Sequence, residues 1–507
     1  MSGKIPFDSD EAVQGLMARH VLMGELPAFF WGQPFKGVPE VYVAAGAFAL
    51  FGSSVTALKS VTLAVFAIYV ALNFVLLDKI ASRWIAVSAS LLLIVAPPAL
   101  VFWSLWAGAE YMLIMLLGTT LLLISERAKS QERRNKGLQF ATGFIIGFGL
   151  WDHQLFVMYL IPLGIILAIR GEWWKRPELR QPNRFVIALI AIGALYVFLG
   201  VIAFVTGGFT LRVGSSAISA TAPQKMIRIA VGILTIAGLA QLISTTTAAQ
   251  ARAALGRYWP VAGGLVIGYA PALLYAVFVE PPRSPVRVID ARGLLQASPD
   301  IFGNIVPILA GFKTGTTERL PVPAIAALPG AAALALYVWS TRHVLTKEFF
   351  PLFVIFVPMF FLVSGAYLDT QSHRYLIPWY AGLSIAWAVG SLGLVRTVRL
   401  STGRRDTTYY AASIIVGAII AVHAWQQVAW YQKLQRDTQT LETIDCLKRR
   451  GVRGGYAEYW TAYKMTFLAR EDIIIAPTDG IDRYPKYTEF VKSLRSEERL
   501  DDAARCN

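Results

Sequence analysis

Cysteine and charge are both scarce in this 507-residue chain, and each scarcity excludes a class of protein. Two cysteines are too few for a disulfide-built scaffold or a cysteine-rich metal protein. Charged residues make up 16% of the chain, whereas soluble domains carry about 25%. With 55% apolar residues and a mean hydropathy of +0.52, the chain does not have the composition of a soluble protein. No tract of low complexity suggests a disordered interaction protein. The five histidines are scattered, with no pair at the i, i+4 spacing of a helical metal site. There is no Walker or glycine-rich dinucleotide fingerprint, so neither ATP coupling nor a nucleotide-sugar donor has motif support.

What the chain has is long apolar runs, and these predict a mainly α, polytopic membrane bundle. Windows of about 20 apolar residues, enough to cross the hydrocarbon core, suggest spans near 55–77, 85–102, 110–125, 138–151, 155–170, 185–206, 226–245, 258–279, 323–340, 349–366, 375–393 and 408–425. The stretch Val41 to Phe51 is too short to cross and reads as a helix lying at the interface. The net charge of +15 would suggest nucleic acid on a soluble protein, but here the basic residues fall largely between apolar runs, where they set topology. Arg127, Lys129, Arg133, Arg134 and Lys136 share one loop, Arg170 to Arg184 another, and Arg396 to Arg405 a third. The loops 97–109 and 151–154 carry no Lys or Arg. Residues 1–54 and the tail 426–507 therefore fall on the outer side of the membrane, flanking the bundle 55–425. The tail, with its interspersed charges and aromatics, predicts a small α/β domain. It holds both Cys446 and Cys506, which an oxidising compartment would let pair; two free thiols is the other reading.

Candidate chemistry lies where polar residues collect on the outer side. Asp8, Asp10 and Glu11 place three carboxylates within four residues. Such a group can bind a divalent cation, hold a general base, or be solvated surface. Glu110, at the mouth of a span, is either a functional carboxylate or an interface residue facing water. Asp152 and His153 form a polar island that can hydrogen-bond sugar hydroxyls or cap two helices. The aromatics of Tyr456 to Tyr463 suit stacking on sugar rings or the core of the small domain.

Asp10-Glu11-Ala12, then Gly24-Glu25-Leu26, Lys36-Gly37-Val38-Pro39 and an apolar segment ending Leu50-Phe51-Gly52, resemble the first external loop of the GT-C glycosyltransferases. The similarity is to the branch of protein O-mannosyltransferases and the lipid A aminoarabinose transferase. Glu110 matches the second acidic position of these proteins, and His373-Arg374-Tyr375-Leu376-Ile377-Pro378 is similar to their late RY-L-P loop. The resemblance implies a sugar taken from a polyprenyl phosphate donor and passed, with inversion, to an acceptor. A cell-envelope glycan, a lipid or a protein can fill that last role.

Asp10 is then the expected general base, aided by Asp8 or Glu11, with Glu110 orienting the acceptor or a divalent cation. Arg374 is the expected contact of the donor phosphate, with Arg212 and Lys225 in reserve and Tyr375 beside it. The lysine that tends to follow the Asp152-His153 span in the aminoarabinose branch is missing here. Family members also carry a span before the acidic loop, whereas seven residues precede Asp8, so about 20 apolar residues are expected upstream of Met1. A twelve-span transporter or lipid flippase is the rival reading, although no internal repeat of the kind transporters show is evident.

Overall fold

A computed structural model describes residues 4–108, 110–127, 135–170, 183–213, 216–220, 223–245, 248–279, 291–313, 356–363, 369–398 and 405–503. Helices occupy every expected span inside these residues; the span 323–340 and most of 349–366 lie outside them. Among the described residues four helices are long and apolar enough to cross a membrane: Val55–Ile80, Arg184–Thr206, Gln371–Arg396 and Thr407–Arg449. Two bent pairs raise the number to six if each is one span. The protein is an integral membrane protein.

The acidic stretch is not a loop. Asp8 caps α1 (Ser9–Leu22): its Oδ1 accepts from the Glu11 N–H at 2.9 Å, while Glu11 Oε2 accepts from the Asp8 N–H at 3.2 Å. This is a capping box, which satisfies two orphan backbone donors at once. A short hairpin of β1 (Phe29–Phe30) and β2 (Gln33–Gly37) leads to α2 (Pro39–Phe51). At 13 residues α2 is about 20 Å long, too short to cross. Then come α3 (Val55–Ile80), α4 (Arg83–Ile94) and α5 (Pro98–Leu105). The expected span 85–102 is two helices meeting at 73°, because Pro97 and Pro98 end one and start the other.

α6 (Glu110–Arg127) and α7 (Lys136–Asp152) follow, then α8 (Val157–Arg170) and α9 (Arg184–Thr206). A hairpin of β3 (Phe209–Val213) and β4 (Ser216–Ala220) joins α9 to α10 (Pro223–Thr245). α11 (Ala248–Gly268) and α12 (Ala270–Phe278) meet at a bend of 55°. The late turn Thr370–Trp379 is 3-10 helix, capped by Asp369, and runs into the buried helix Tyr380–Val398.

The tail is a three-stranded parallel sheet, order β6-β5-β7 (Ile474–Pro477, Gly454–Ala457, Arg499–Leu500), with helices Thr438–Arg449, Tyr459–Leu468 and Pro485–Ser493. Cys446 is disulfide-bonded; the only other cysteine in the sequence, Cys506, lies outside the described residues. The tail shares one core with α1 and α2, in which Leu16, Val41 and Phe48 meet Tyr459, Tyr463 and Phe467.

α7 and α11 lie backbone to backbone. A Cβ at Gly143 would sit 1.9 Å from the Val261 carbonyl, and one at Gly147 2.2 Å from that of Leu265. Reciprocally, Gly264 meets the Phe140 carbonyl at 2.1 Å and Gly268 that of Phe144 at 2.3 Å. Two small-xxx-small faces thus interlock, the arrangement that lets helices pack where apolar burial gives no driving force. The register increases together, so the helices run parallel, as the loop charges require of these two spans. Gly264→Leu is expected to separate them and lower the detergent-solubilised unfolding temperature by several degrees, whereas Gly256→Leu, with open space at its Cβ, should leave it within about 1 °C. Equal effects of the two would contradict the interlock.

Candidate functional site

The mouth of the bundle holds a cavity of about 830 Å³, lined on one side by Asp8, Asp10, Trp103 and Trp106 and on the other by His373, Arg374, Lys433 and Trp460. Of the sequence candidates, the structure brings Asp8, Asp10 and Arg374 together here. Asp10, one residue into the first turn of α1, has a side chain 24% exposed. Its Oδ1 accepts from the Tyr459 hydroxyl, and Arg483 Nη2 stands 4.0 Å away. Among the described residues Oδ2 has no hydrogen-bond partner. Arg374 donates from Nη2 to the Tyr375 hydroxyl at 3.2 Å, and its buried Nε has no partner.

Asp8 is partly spent on structure, since its Oδ2 accepts from Trp106 Nε1 at 2.9 Å. Burial and the neighbouring Asp10 charge push its carboxyl up from the ordinary 3.8. Glu11 points away from the cavity and is fully buried. It forms an ion pair with Lys59 of α3 and accepts from the Ala107 N–H at 2.7 Å. Burial pushes the Glu11 carboxyl up, against the pull of Lys59.

Glu110 lies in a separate buried cluster. Lys36 Nζ stands 2.9 Å from Glu110 Oε2, over the rings of Phe30 and Trp106. Burial would lower the Lys36 ammonium, but the Glu110 charge raises it above 10.5. Glu40, held 3.5 Å from Gln14 Nε2, is pushed up to about 8 by burial and by Glu110. Asp152 ends α7 with a side chain buried at 1% exposure and its Oδ2 without a partner. His153 caps the following turn, its Nδ1 accepting from the Leu155 N–H at 3.0 Å. Arg212 lies in β3 opposite Ala217, its side chain outside the described residues, and Lys225 is exposed on the first turn of α10. Neither Lys225 nor Tyr375 is among the residues lining the cavity. Among the described residues no three His, Cys, Asp or Glu side chains converge as a metal site would need.

The tail supplies contacts to Asp10 that the sequence reading, which took Tyr456 to Tyr463 as sugar-stacking or core residues, did not assign. Tyr459 and Arg483 reach Asp10, and Arg483 Nε also donates to the Tyr459 hydroxyl at 3.3 Å. A second contact seats the tail. His20 Nε2 meets Glu471 Oε1 at 3.0 Å and the Tyr487 hydroxyl at 3.1 Å, and its Nδ1 stands 3.3 Å from Glu25. Trp31 stacks on Tyr484 with centroids 3.9 Å apart.

Burial would lower the His20 imidazole, but the hydrogen bonds and charges of Glu471 and Glu25 outweigh it and raise it above 6.5. A raised histidine contributes stability that is complete below 6.5 and lost as pH rises through the folded value. Burial opposes ionisation of Glu471 too, yet His20, Tyr487 and Arg19 hold it below 4.5, so its contribution is lost as pH falls. Docking of the tail is expected to be tightest between about pH 4.5 and 6.5. In limited proteolysis, His20→Gln should release the tail faster than wild type at pH 6, with the gap narrowing at pH 9; a gap that is constant with pH would contradict the pairing.

No protein-family model matches the chain, and no curated protein matches it. Solved structures do. The apo structure of ArnT from Cupriavidus metallidurans aligns with TM-score 0.50 and 10% identity, over 97% of this chain and 84% of that one. The same protein bound to undecaprenyl phosphate gives 0.46 and 11%, over 97% and 85%. The oligosaccharyltransferase of Archaeoglobus fulgidus gives 0.46 and 12%; 93% of this chain aligns, spanning 58% of that one. This chain therefore has the fold of the GT-C membrane glycosyltransferases.

Proposed function

We propose that the chain is a glycosyltransferase that moves a sugar from a polyprenyl phosphate carrier to an acceptor on the outer side of a bacterial inner membrane. The observation that carries this reading is the meeting of Asp10 and Arg374 in one cavity at the mouth of the bundle. An acceptor hydroxyl must lose a proton as it attacks the anomeric carbon, and a carboxylate with an uncommitted oxygen can take it. In this reading Asp10 Oδ2 is that base, with Oδ1 fixed by Tyr459. The bond from the anomeric carbon to the phosphate oxygen breaks as the new bond forms on the opposite face, so configuration inverts. Negative charge then returns to the lipid phosphate, where the uncommitted Arg374 Nε–H can meet it.

The apolar rings of Phe102, Trp103 and Trp106 suit sugar faces or the first isoprene units. The acceptor is a cell-envelope glycan, a lipid or a protein. Undecaprenyl phosphate, which the Cupriavidus protein was crystallised with, is the donor carrier to try first. Glu11 and Glu110, committed to Lys59 and Lys36, hold the frame of the site in this reading.

The test is transfer of labelled sugar from a panel of polyprenyl phosphate sugars to a membrane extract. Asp10→Asn is expected to reduce transfer at least about 100-fold, the low end for loss of a general base. Tyr459→Phe, which removes one hydrogen bond to a carboxylate, should cost about tenfold in kcat with the donor KM unchanged. Transfer by Asp10→Asn at the wild-type rate would sink the assignment of the base; no transfer from any donor by folded wild type would sink the glycosyltransferase reading in favour of a transporter.

A further inference from the structure

A second pocket, of about 290 Å³, opens at the N-terminal end of α3. It is lined by Arg19, Phe51, Gly52, Ser53, Ser54 and Arg470, and shares no residue with the Asp10 cavity. Arg19 lies nine residues after Asp10 on α1, about 14 Å along the helix. Its Nε donates to Ser53 Oγ at 2.7 Å and its Nη2 to the Phe467 carbonyl at 2.9 Å. The third nitrogen, Nη1, is buried and makes no hydrogen bond; its ion-pair partner Glu471 Oε2 is 3.6 Å away. Arg470 is exposed on the pocket's other wall. Ser54 caps α3 below, so the positive end of a 26-residue helix adds to the two guanidiniums.

Arg470 reaches the pocket from the turn that ends the helix Tyr459–Leu468. Arg470 and Glu471 have φ of 59° and 64°, the two non-glycine residues with positive φ among those described. Here the turn sends Glu471 to Arg19, His20 and Tyr487 and leaves Arg470 at the pocket. Backbone hydrogen bonds account for the turn: it is a Schellman cap of the helix Tyr459–Leu468, with the Arg470 N–H on the Phe467 carbonyl at 3.1 Å and the Glu471 N–H on that of Thr466 at 3.0 Å.

We propose that this pocket binds the phosphate of an anionic lipid headgroup from the leaflet facing the tail. Depth favours a lipid over free phosphate. The pocket sits at the first turn of a membrane span, and its lining residue Phe51 and the preceding Leu50 are each 78% exposed, apolar side chains suited to the acyl boundary. A phosphate held there bridges α3 and α1 to the turn that carries Glu471, and so ties tail docking to lipid composition. The site is independent of the transfer chemistry.

The experiment uses the full chain purified in detergent, titrated with phosphatidylglycerol or phosphatidylcholine and read by native mass spectrometry and thermal unfolding. Phosphatidylglycerol is expected to bind and raise the unfolding temperature, and phosphatidylcholine to do neither. Arg470→Asn, which keeps a residue tolerant of positive φ, should weaken phosphatidylglycerol about fivefold, the value of one basic residue at a lipid surface. Lys492→Gln, an equal charge loss on another exposed part of the tail, should change nothing. Arg19→Lys, which keeps the charge but loses the fork, is the second variant should Arg470→Asn fail to fold, and should weaken binding similarly. Unchanged affinity in the folded variant, or equal binding of phosphatidylcholine, overturns the site. Equal stabilisation by millimolar inorganic phosphate overturns the lipid source in favour of a free anion.

Discussion

The arrangement at the mouth of this bundle depends on one buried pair, Glu11 of α1 and Lys59 of α3. Neither charge reaches water, and breaking such a pair from one side leaves an uncompensated buried charge. The pair is tolerable because its hydrogen bonds are filled: Glu11 also accepts from Ala107 N–H and from Asp8 N–H, and Lys59 donates to the Pro6 carbonyl at 2.8 Å. Those contacts fix the start of α1 against α3 and against the chain leaving α5. Asp10 is the residue before Glu11, so its direction into the cavity follows from the direction of its neighbour out of it. The acidic run that looks like a single cluster in sequence is split by the helix into a framing residue and a facing one.

The tail is held by the same logic at a greater sequence distance. Gly15 of α1 lets Phe467 approach to where a Cβ would be 2.4 Å from its ring, and the ring of Phe467 in turn lies 4.1 Å from the Arg19 guanidinium. The tyrosines of the tail divide their work. Tyr463 binds the Arg483 and Tyr484 N–H groups and builds its own domain, while Tyr459, one turn earlier, crosses to Asp10. Trp460, between them, faces the cavity.

Much of the fold was legible in the sequence because apolar run length reports the membrane directly. The breaks were legible too, in Pro97-Pro98, but a hydropathy window averages over them. α1 was misread as loop: the pattern Asp8-x-x-Glu11 before Ala12 to Leu22 is a capping-box signature, and its carboxylates drew attention to chemistry instead. The paired Gly143/Gly147 and Gly264/Gly268 also carried a signal that went unused. At the site, Asp10 and Arg374 were accessible through local motifs. Tyr459 was not, since it lies 449 residues from the aspartate it meets and no local pattern encodes that distance.

The interlocked glycines of α7 and α11 bear on how the chain is made. The partner face of Gly147 is synthesised roughly 120 residues later, which at about 5–20 residues per second is a delay of roughly 6 to 24 s. During that interval α7 rests in the bilayer with a flat, small-residue stripe and no partner for it. The three apolar helices made in between, α8 to α10, must insert without occupying that stripe. The order of assembly in the membrane therefore differs from the order of synthesis, and a parallel pair set this far apart leaves α7 waiting for a helix made much later.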